Sequence, residues 1–223
     1  MIFTISNLLS VDDLKKIVEN LDPEDFIDGK LTAGWAAKKV KHNTQLGSKV
    51  TYGKDIKEHI RKALLENQKF QSAARPRTIH SILISRYGTG MSYGTHVDNA
   101  HMGGQSYVRS DLSFTYFLNS PDEYEGGELM IDEGERERAI KLPANSAIVY
   151  PSSTLHRVAP VASGVRLVVV GWVQSLLRNP GHREILYDLD RTRRSIFKAH
   201  GKSQEFDLIS KAMANLLREW SDA

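Results

Sequence analysis

The chain has 223 residues, 40% hydrophobic and 26% charged, a composition that is ordinary for a globular protein with one main core. Lys and Arg total 30 against 27 Asp and Glu, and the formal net charge of +3 is too small for a dedicated nucleic-acid binder. Cysteine is absent, which excludes disulfides, zinc–thiolate sites, iron–sulfur clusters and a cysteine nucleophile. Any metal must therefore be bound by histidine and carboxylate.

The N-terminal part of the chain predicts helices. Ser10 precedes "VDDLKKIVENL" as a helix N-cap does, with acidic residues in the first turn. A second helix is predicted from about residue 53 to residue 71, where apolar side chains recur at helical spacing (Ile56, Ile60 and Leu64). The opening "MIFTISNLLSVDDL" has no basic residues and no long apolar run. We expect no signal peptide, no membrane span and a cytoplasmic location.

The middle of the chain predicts short strands separated by Gly, Pro, Asn and Asp turns. The candidates are "RTIHSILISRY", "DLSFTYFLN", "GGELMID", "RAIKLPANSAIVYP" and "VRLVVVGWVQ". Strands without helices between them indicate an antiparallel sandwich or barrel. The sequence therefore predicts three parts: a mixed helical region at 1–76, a β domain at 77–174, and a helical segment at 175–223.

The helical segment at 175–223 carries an apolar stripe, which must be covered in the folded protein. We expect it to pack on the β core and to contribute stability or homodimer contacts. The residues at near-helical spacing are Leu208, Ile209, Ala212, Leu216 and Trp220.

His96 and Asp98 in "YGTHVDNA" are separated by one residue. In a strand, residues i and i+2 point to the same face, so this pair can present two metal ligands side by side. Taken alone the pattern is weak, since such pairs also occur as hydrogen-bonded surface residues. The rest of the chain decides its meaning.

A second constellation follows in "YPSSTLHRVAPVASGVRLVVVGW", which contains His156 and, ten residues later, Arg166. A third ligand from a distant strand completes a set of two histidines and one carboxylate, as in non-haem Fe(II) oxygenases. Arg166 lies among apolar residues, where an unpaired guanidinium is costly. Its planar donors suit the far carboxylate of a dicarboxylic co-substrate, and Tyr87 is a candidate hydroxyl donor to the same group.

These residues give the chain a family resemblance. It resembles the 2-oxoglutarate- and Fe(II)-dependent dioxygenases of the prolyl-hydroxylase type, and most closely the bacterial PKHD-type hydroxylases. The matching stretches are "THVD", "RSDLSFTYFLNSPDEYEGGEL", "VYPSSTLHRVAPV" and "GVRLVVVGWVQS". They lie within residues 77–174.

The resemblance implies a mainly β fold with flanking helices and a double-stranded β-helix (jelly-roll) core. It implies that His96, Asp98 and His156 bind iron, that Arg166 anchors 2-oxoglutarate, and that ascorbate keeps the iron ferrous. The implied reaction converts 2-oxoglutarate and O2 to succinate and CO2 while a substrate C–H bond is hydroxylated. A peptidyl proline or another side chain of a protein or peptide is the expected target.

One position departs from the family pattern. Some relatives have a tyrosine that helps to hold 2-oxoglutarate directly before the Leu-Asn of "YFLN", where this chain has Phe117. Tyr87 and Tyr116 are then the candidates for that contact.

Other interpretations stay open on the sequence alone. The chain could be a non-catalytic jelly-roll sensor of a metal or of 2-oxoglutarate, or a zinc-dependent hydrolase or isomerase on the same scaffold. A serine hydrolase that uses Ser152 or Ser153 lacks the expected nucleophile elbow. The basic stretches "KKVKHN" (38–43) and "RTRRSIFK" (191–198) are typical of solvated surfaces. If the first is functional, it lies at the mouth of the active site and favours an acidic or polymeric substrate.

Overall fold

The computed structural model describes residues 1–103 and 107–222. In these ranges the chain forms five α-helices, namely α1 (Val11–Glu19), α2 (Thr51–Glu66), α3 (Gln68–Ala74), α4 (Pro180–His200) and α5 (Gln204–Trp220). None of the helices in the described ranges has the length and apolar character that a membrane crossing requires.

The same ranges contain sixteen strands. In chain order they are β1 (Phe3–Ile5), β2 (Phe26–Asp28), β3 (Lys41–His42), β4 (Thr44–Leu46), β5 (Pro76–Tyr87), β6 (Ser92–His96), β7 (His101–Met102), β8 (Val108–Arg109), β9 (Leu112–Phe117), β10 (Tyr124–Gly126), β11 (Leu129–Asp132), β12 (Glu137–Ile140), β13 (Ser146–Pro151), β14 (His156–Val158), β15 (Val161–Gly164) and β16 (Arg166–Ser175).

Most of these strands form two sheets. The larger sheet has the order β1-β13-β9-β16-β5-β4-β2 and the smaller one β12-β11-β14-β6-β3, while β10 pairs with β15 and β7 with β8. Pairing is antiparallel throughout the described residues. An apolar cluster joins the two sheets, with Phe117, Ile148 and Val168 from the larger and Leu129, Ile131 and Val158 from the smaller. The predicted mainly β sandwich with flanking helices is confirmed.

Helices cover the other face of the larger sheet. Along β9, alternate residues Leu112, Phe114 and Tyr116 belong to a second apolar cluster, which also contains Ile60 and Leu64 of α2. The period of two along the strand turns the intervening residues toward the smaller sheet. The larger sheet is therefore buried on both faces, by helices outside and by the smaller sheet inside.

The helix ends follow from local chemistry. The hydroxyl of Ser10 accepts a hydrogen bond from the Asp13 amide at 3.1 Å, which confirms the predicted N-cap of α1. The single helix predicted for 53–71 is instead two, because Asn67 leaves the helical conformation with ψ 118. Its side chain then accepts from the Phe70 amide at 3.0 Å and starts α3.

The C-terminal segment is helical, as predicted. Helices α4 and α5 pack on each other, and α4 also packs on α3. Their shared cluster is centred on Leu177, Leu186 and Met213. The predicted stripe is partly wrong: Leu208 is 56% exposed and Ala212 is also exposed, whereas Met213, absent from that stripe, is buried.

The first 76 residues contribute strands to both sheets, which the sequence analysis did not predict. β1, β2 and β4 extend the larger sheet and β3 extends the smaller one. Asn145 holds this part in place, since its side chain accepts from the Leu9 amide at 2.8 Å and donates to the Leu9 carbonyl at 2.7 Å. The division at 76/77 and 174/175 stays a prediction.

Met213→Ala is expected to destabilise the protein by about 2–5 kcal/mol, because it removes a buried side chain at the centre of the α4–α5 contact. Leu208→Ala on the same helix is the control and is expected to change stability by no more than about 0.5 kcal/mol. Urea denaturation followed by circular dichroism measures both. Equal effects in the two variants would show that the helical pair does not depend on this cluster.

Candidate active site

A cavity of about 500 Å³ opens into the sandwich and is lined by side chains from both sheets. Its size lies in the range typical of small-molecule sites. Five of the six site residues predicted from the sequence line it: Tyr87, His96, Asp98, His156 and Arg166.

His96 and His156 face each other across neighbouring strands. β6 ends at His96 and β14 begins at His156, and the two residues are directly paired in register. Their ring centroids are 4.3 Å apart. Asp98 does not share the strand with His96, contrary to the sequence analysis, because β6 ends two residues before it.

Asp98 nevertheless reaches both histidines. Its Oδ1 lies 3.9 Å from Nε2 of His96 and its Oδ2 lies 3.8 Å from Nε2 of His156. One potential ligand atom from each of the three residues lies within 4.8 Å of the others. Two imidazole nitrogens and one carboxylate form the donor set that suits non-haem Fe(II), with further coordination positions left for other ligands.

Backbone carbonyls orient the two imidazoles. Nδ1 of His96 lies 2.9 Å from the Gly94 carbonyl oxygen, and Nδ1 of His156 lies 2.9 Å from that of Thr154. A carbonyl only accepts, so each Nδ1 carries the proton and each Nε2 keeps its lone pair for a metal. Burial lowers the pKa of His96 to about 4, and repulsion from His156 adds to the effect, so this ring is neutral at pH 7.

Two serines orient the carboxylate. Ser113 on β9 donates its hydroxyl proton to Oδ2 of Asp98 at 2.6 Å. The hydroxyl oxygens of Ser152 and Ser113 are 2.8 Å apart. Because Ser113 already donates its hydroxyl proton to Asp98, Ser152 is the donor in this second hydrogen bond. This contact argues against the serine-hydrolase alternative, because the buried Ser152 hydroxyl is hydrogen-bonded to Ser113 and Ser153 is exposed outside the cavity wall.

Two tyrosines that the sequence analysis missed pack on the histidines. The ring of Tyr93 stacks on His96 with centroids 3.7 Å apart, and the edge of Tyr150 meets His156 at 5.1 Å. Burial raises the pKa of both phenols, so both stay neutral. Tyr93 is three residues before His96 in a strand, a position at which the sequence pattern gives no signal of such a contact.

Arg166 forms a charged region of the cavity wall. The residue is 1% exposed, and its guanidinium lies 5.0 Å from the ring centroid of Tyr87 and 5.5 Å from that of Phe117. Its Nε has no hydrogen-bond partner, and no carboxylate of the described residues lies within 4.0 Å of it. Gly127 (φ +67) provides room, because a Cβ there would lie 3.1 Å from Cδ of Arg166. A buried cation without a counter-ion is the expected environment for an anionic ligand.

Tyr116 is not brought to the site. It lies on the helix-facing side of β9, in the same cluster as Phe114, and its hydroxyl donates to Oδ1 of Asn145 at 2.9 Å. Phe117 points the other way, toward Arg166. The strand period therefore separates two adjacent aromatic residues, one in the structural core and one against the guanidinium.

Comparison with known proteins identifies the family. A PKHD-type hydroxylase of Acaryochloris marina (strain MBIC 11017) is 55% identical over 222 residues, which cover 100% of both chains. The chain belongs to the PKHD-type hydroxylases. Another, from Rippkaea orientalis (strain PCC 8801 / RF-1), is 56% identical over 220 residues and covers 99% of both. A model of the 2OG-Fe(II) oxygenase superfamily matches residues 82–174. This chain is therefore a 2-oxoglutarate-dependent dioxygenase, and the family implies Fe(II), 2-oxoglutarate and O2 as its requirements.

Solved structures support the fold. A prolyl-4-hydroxylase of Pseudomonas putida superposes with a TM-score of 0.53 at 18% identity, covering 78% of this chain and 92% of that one. The jelly-roll core implied by the sequence resemblance is thereby confirmed.

Ser113→Ala is expected to weaken binding of a divalent metal by about 10- to 100-fold, because the Asp98 carboxylate loses the donor that orients it. Ser153→Ala, at the exposed neighbour of Ser152, is the control and should bind metal as the wild type does. Mn²⁺ titration by calorimetry measures both affinities. If Ser113→Ala retained wild-type affinity, orientation of Asp98 by this serine would be unimportant for the metal.

Proposed function

We propose that this enzyme hydroxylates a C–H bond of its substrate at an iron ion bound by His96, Asp98 and His156. The observation that carries the proposal is the convergence of their three ligand atoms in the cavity wall. The hydrogen bonds to Nδ1 of both imidazoles support it, since they leave the Nε2 lone pairs for a metal. An iron ion bound there would supply the redox chemistry that couples decarboxylation of 2-oxoglutarate by O2 to oxidation of the substrate.

We propose that Arg166 binds the far carboxylate of 2-oxoglutarate. The guanidinium is buried and lacks a protein counter-ion among the described residues, and its planar donors match a carboxylate. Tyr87 is paired with Arg166 across β5 and β16, so its phenol is the proposed second donor to that carboxylate. Phe117 packs on the guanidinium and keeps water from it. Tyr116 is left out of this proposal because its hydroxyl is already bonded to Asn145.

The finer features of the reaction rest on the family resemblance. We propose a peptidyl prolyl or other side chain as the hydroxylated group, in line with the prolyl-4-hydroxylase named above. Ascorbate is the proposed reductant that keeps the iron ferrous. A cytoplasmic location is proposed because a reducing compartment favours a ferrous site. The homodimer expected from the helical tail stays a prediction.

His96→Ala, Asp98→Ala and His156→Ala are each expected to abolish succinate formation from 2-oxoglutarate while the fold is kept. Each variant loses one of only three proposed ligands, and little core volume is removed with it. Succinate release from 2-oxoglutarate is measured in the presence of Fe(II), ascorbate and O2 but without a molecule to be hydroxylated. Iron content and circular dichroism are measured on the same samples. A folded variant with full activity and stoichiometric iron would remove its residue from the proposed site. Absence of succinate from the iron-loaded wild type would instead favour the non-catalytic sensor.

Arg166→Met is expected to weaken 2-oxoglutarate binding by roughly 10² or more, because a charge-assisted hydrogen bond contributes about 1.5–3 kcal/mol and the guanidinium offers two. Arg166→Lys should fall between this variant and the wild type. Arg138→Met, at a half-exposed position on β12, is the control and should not change the affinity. The charge-transfer absorbance of the Fe(II)–2-oxoglutarate complex reports the titration. Unchanged binding in Arg166→Met would contradict the assignment, and loss of iron itself would show a structural role.

A further inference from the structure

The edge of the cavity is formed by the stretch Lys41–Leu46, which connects the two sheets. Its first part, β3, pairs with β6 of the smaller sheet, and its second part, β4, pairs with β5 of the larger one. Alternate side chains along this stretch line the cavity and are only 4% exposed, namely Lys41, Asn43 and Gln45. A row of polar side chains thus faces the space in front of the proposed iron ligands.

Lys41 is the charged member of this row. Its Nζ donates to the Thr32 hydroxyl at 3.0 Å and lies 5.3 Å from the ring centroid of Tyr93. Tyr93 in turn stacks on His96, so the ammonium lies one aromatic ring away from a proposed iron ligand. An ammonium has three donors, and one hydrogen bond to a hydroxyl leaves most of its capacity unused.

No protein counter-ion within the described ranges reaches Lys41. No carboxylate of the residues that the structure describes lies within 4.0 Å of its Nζ, although Asp28 and Asp98 act on its charge from farther away. Asp28 accepts a hydrogen bond from the Lys30 amide, and Asp98 accepts one from the Ser113 hydroxyl and faces the two histidines. Burial lowers the pKa of Lys41 to about 8, so the ammonium still predominates at pH 7.

The neighbouring lysines differ from Lys41. Lys38 and Lys39 belong to the same basic stretch but are exposed, and Lys39 lies 6.0 Å from the ring centroid of the exposed Trp35. Charge at the surface is screened by water and salt and needs no partner. Only at position 41 does the stretch place a cation inside the cavity.

We propose that Lys41 binds a carboxylate of the substrate. The enzyme would then select substrates that carry a carboxylate group close to the carbon that is hydroxylated. This inference rests on the proposed function, since the iron ligands define where that carbon lies. 2-Oxoglutarate does not fulfil the role of counter-ion. In the proposed complex one end of 2-oxoglutarate would be held at the iron and the other by Arg166, which would leave Lys41 for a second anion.

The test uses N-acetylproline and N-acetylprolinamide, which differ only in the carboxylate. Protein loaded with Mn²⁺ and 2-oxoglutarate broadens the NMR signals of molecules that bind near the metal, so the dissociation constant of each probe is measured without turnover. The variants are Lys41→Met, Lys41→Arg and, as a matched control at the exposed neighbour, Lys39→Met. Circular dichroism checks that each is folded.

Wild type and Lys39→Met are expected to bind the carboxylate at least about tenfold more tightly than the amide. Lys41→Met should lose this preference, Lys41→Arg should keep part of it, and the affinity for 2-oxoglutarate should be the same in all four proteins. The proposal is overturned if wild type shows no preference, if Lys41→Met keeps it, or if Lys41→Met loses 2-oxoglutarate instead. Failure of wild type to broaden the 2-oxoglutarate signals would count against the proposed function itself.

Discussion

The register between β6 and β14 is the constraint on which the site depends. It places His96 directly opposite His156, and because side chains alternate along a strand, a shift by one residue would turn one imidazole out of the cavity. β14 has only three residues, so its register is maintained from its other side, where His156 pairs with Ile131 of β11. Ile131 is fully buried between the sheets. An apolar side chain in the core thus fixes the position of a polar one in the cavity.

Residues that stabilise the fold and residues that form the active site lie on opposite faces of the same strands. On β9, the helix-facing Phe114 and Tyr116 belong to the apolar core, while Ser113 on the inner face orients Asp98. The cavity contains buried polar groups whose desolvation opposes folding. The helix-covered face supplies the apolar burial that offsets this cost. The proposed co-substrate and substrate anions would lower this desolvation cost further, because they would be counter-ions for Arg166 and Lys41.

Much of this organisation could be predicted from the sequence, because it follows from strong local patterns. The cap at Ser10, the strands β5, β9 and β16, and the grouping of His96, His156 and Arg166 were all expected. Strands β1 to β4 were missed because two or three residues are too few for a period to show. The pattern could not separate Tyr116 from Phe117 either, since it does not say which face of β9 meets the helices. Lys41 looked like a surface charge because burial depends on strand pairing across a distance of about fifty residues.

The contact between Leu9 and Asn145 has a consequence for how the chain folds. These residues are 136 positions apart, and β1 finds its only hydrogen-bonded neighbour of the described strands in β13. Long-range antiparallel pairing of this kind raises the contact order and slows folding. During synthesis the first strand leaves the ribosome long before its neighbour exists. The first strand therefore has no pairing partner from this sheet until more than half of the polypeptide has been translated, so this edge of the larger sheet cannot form early.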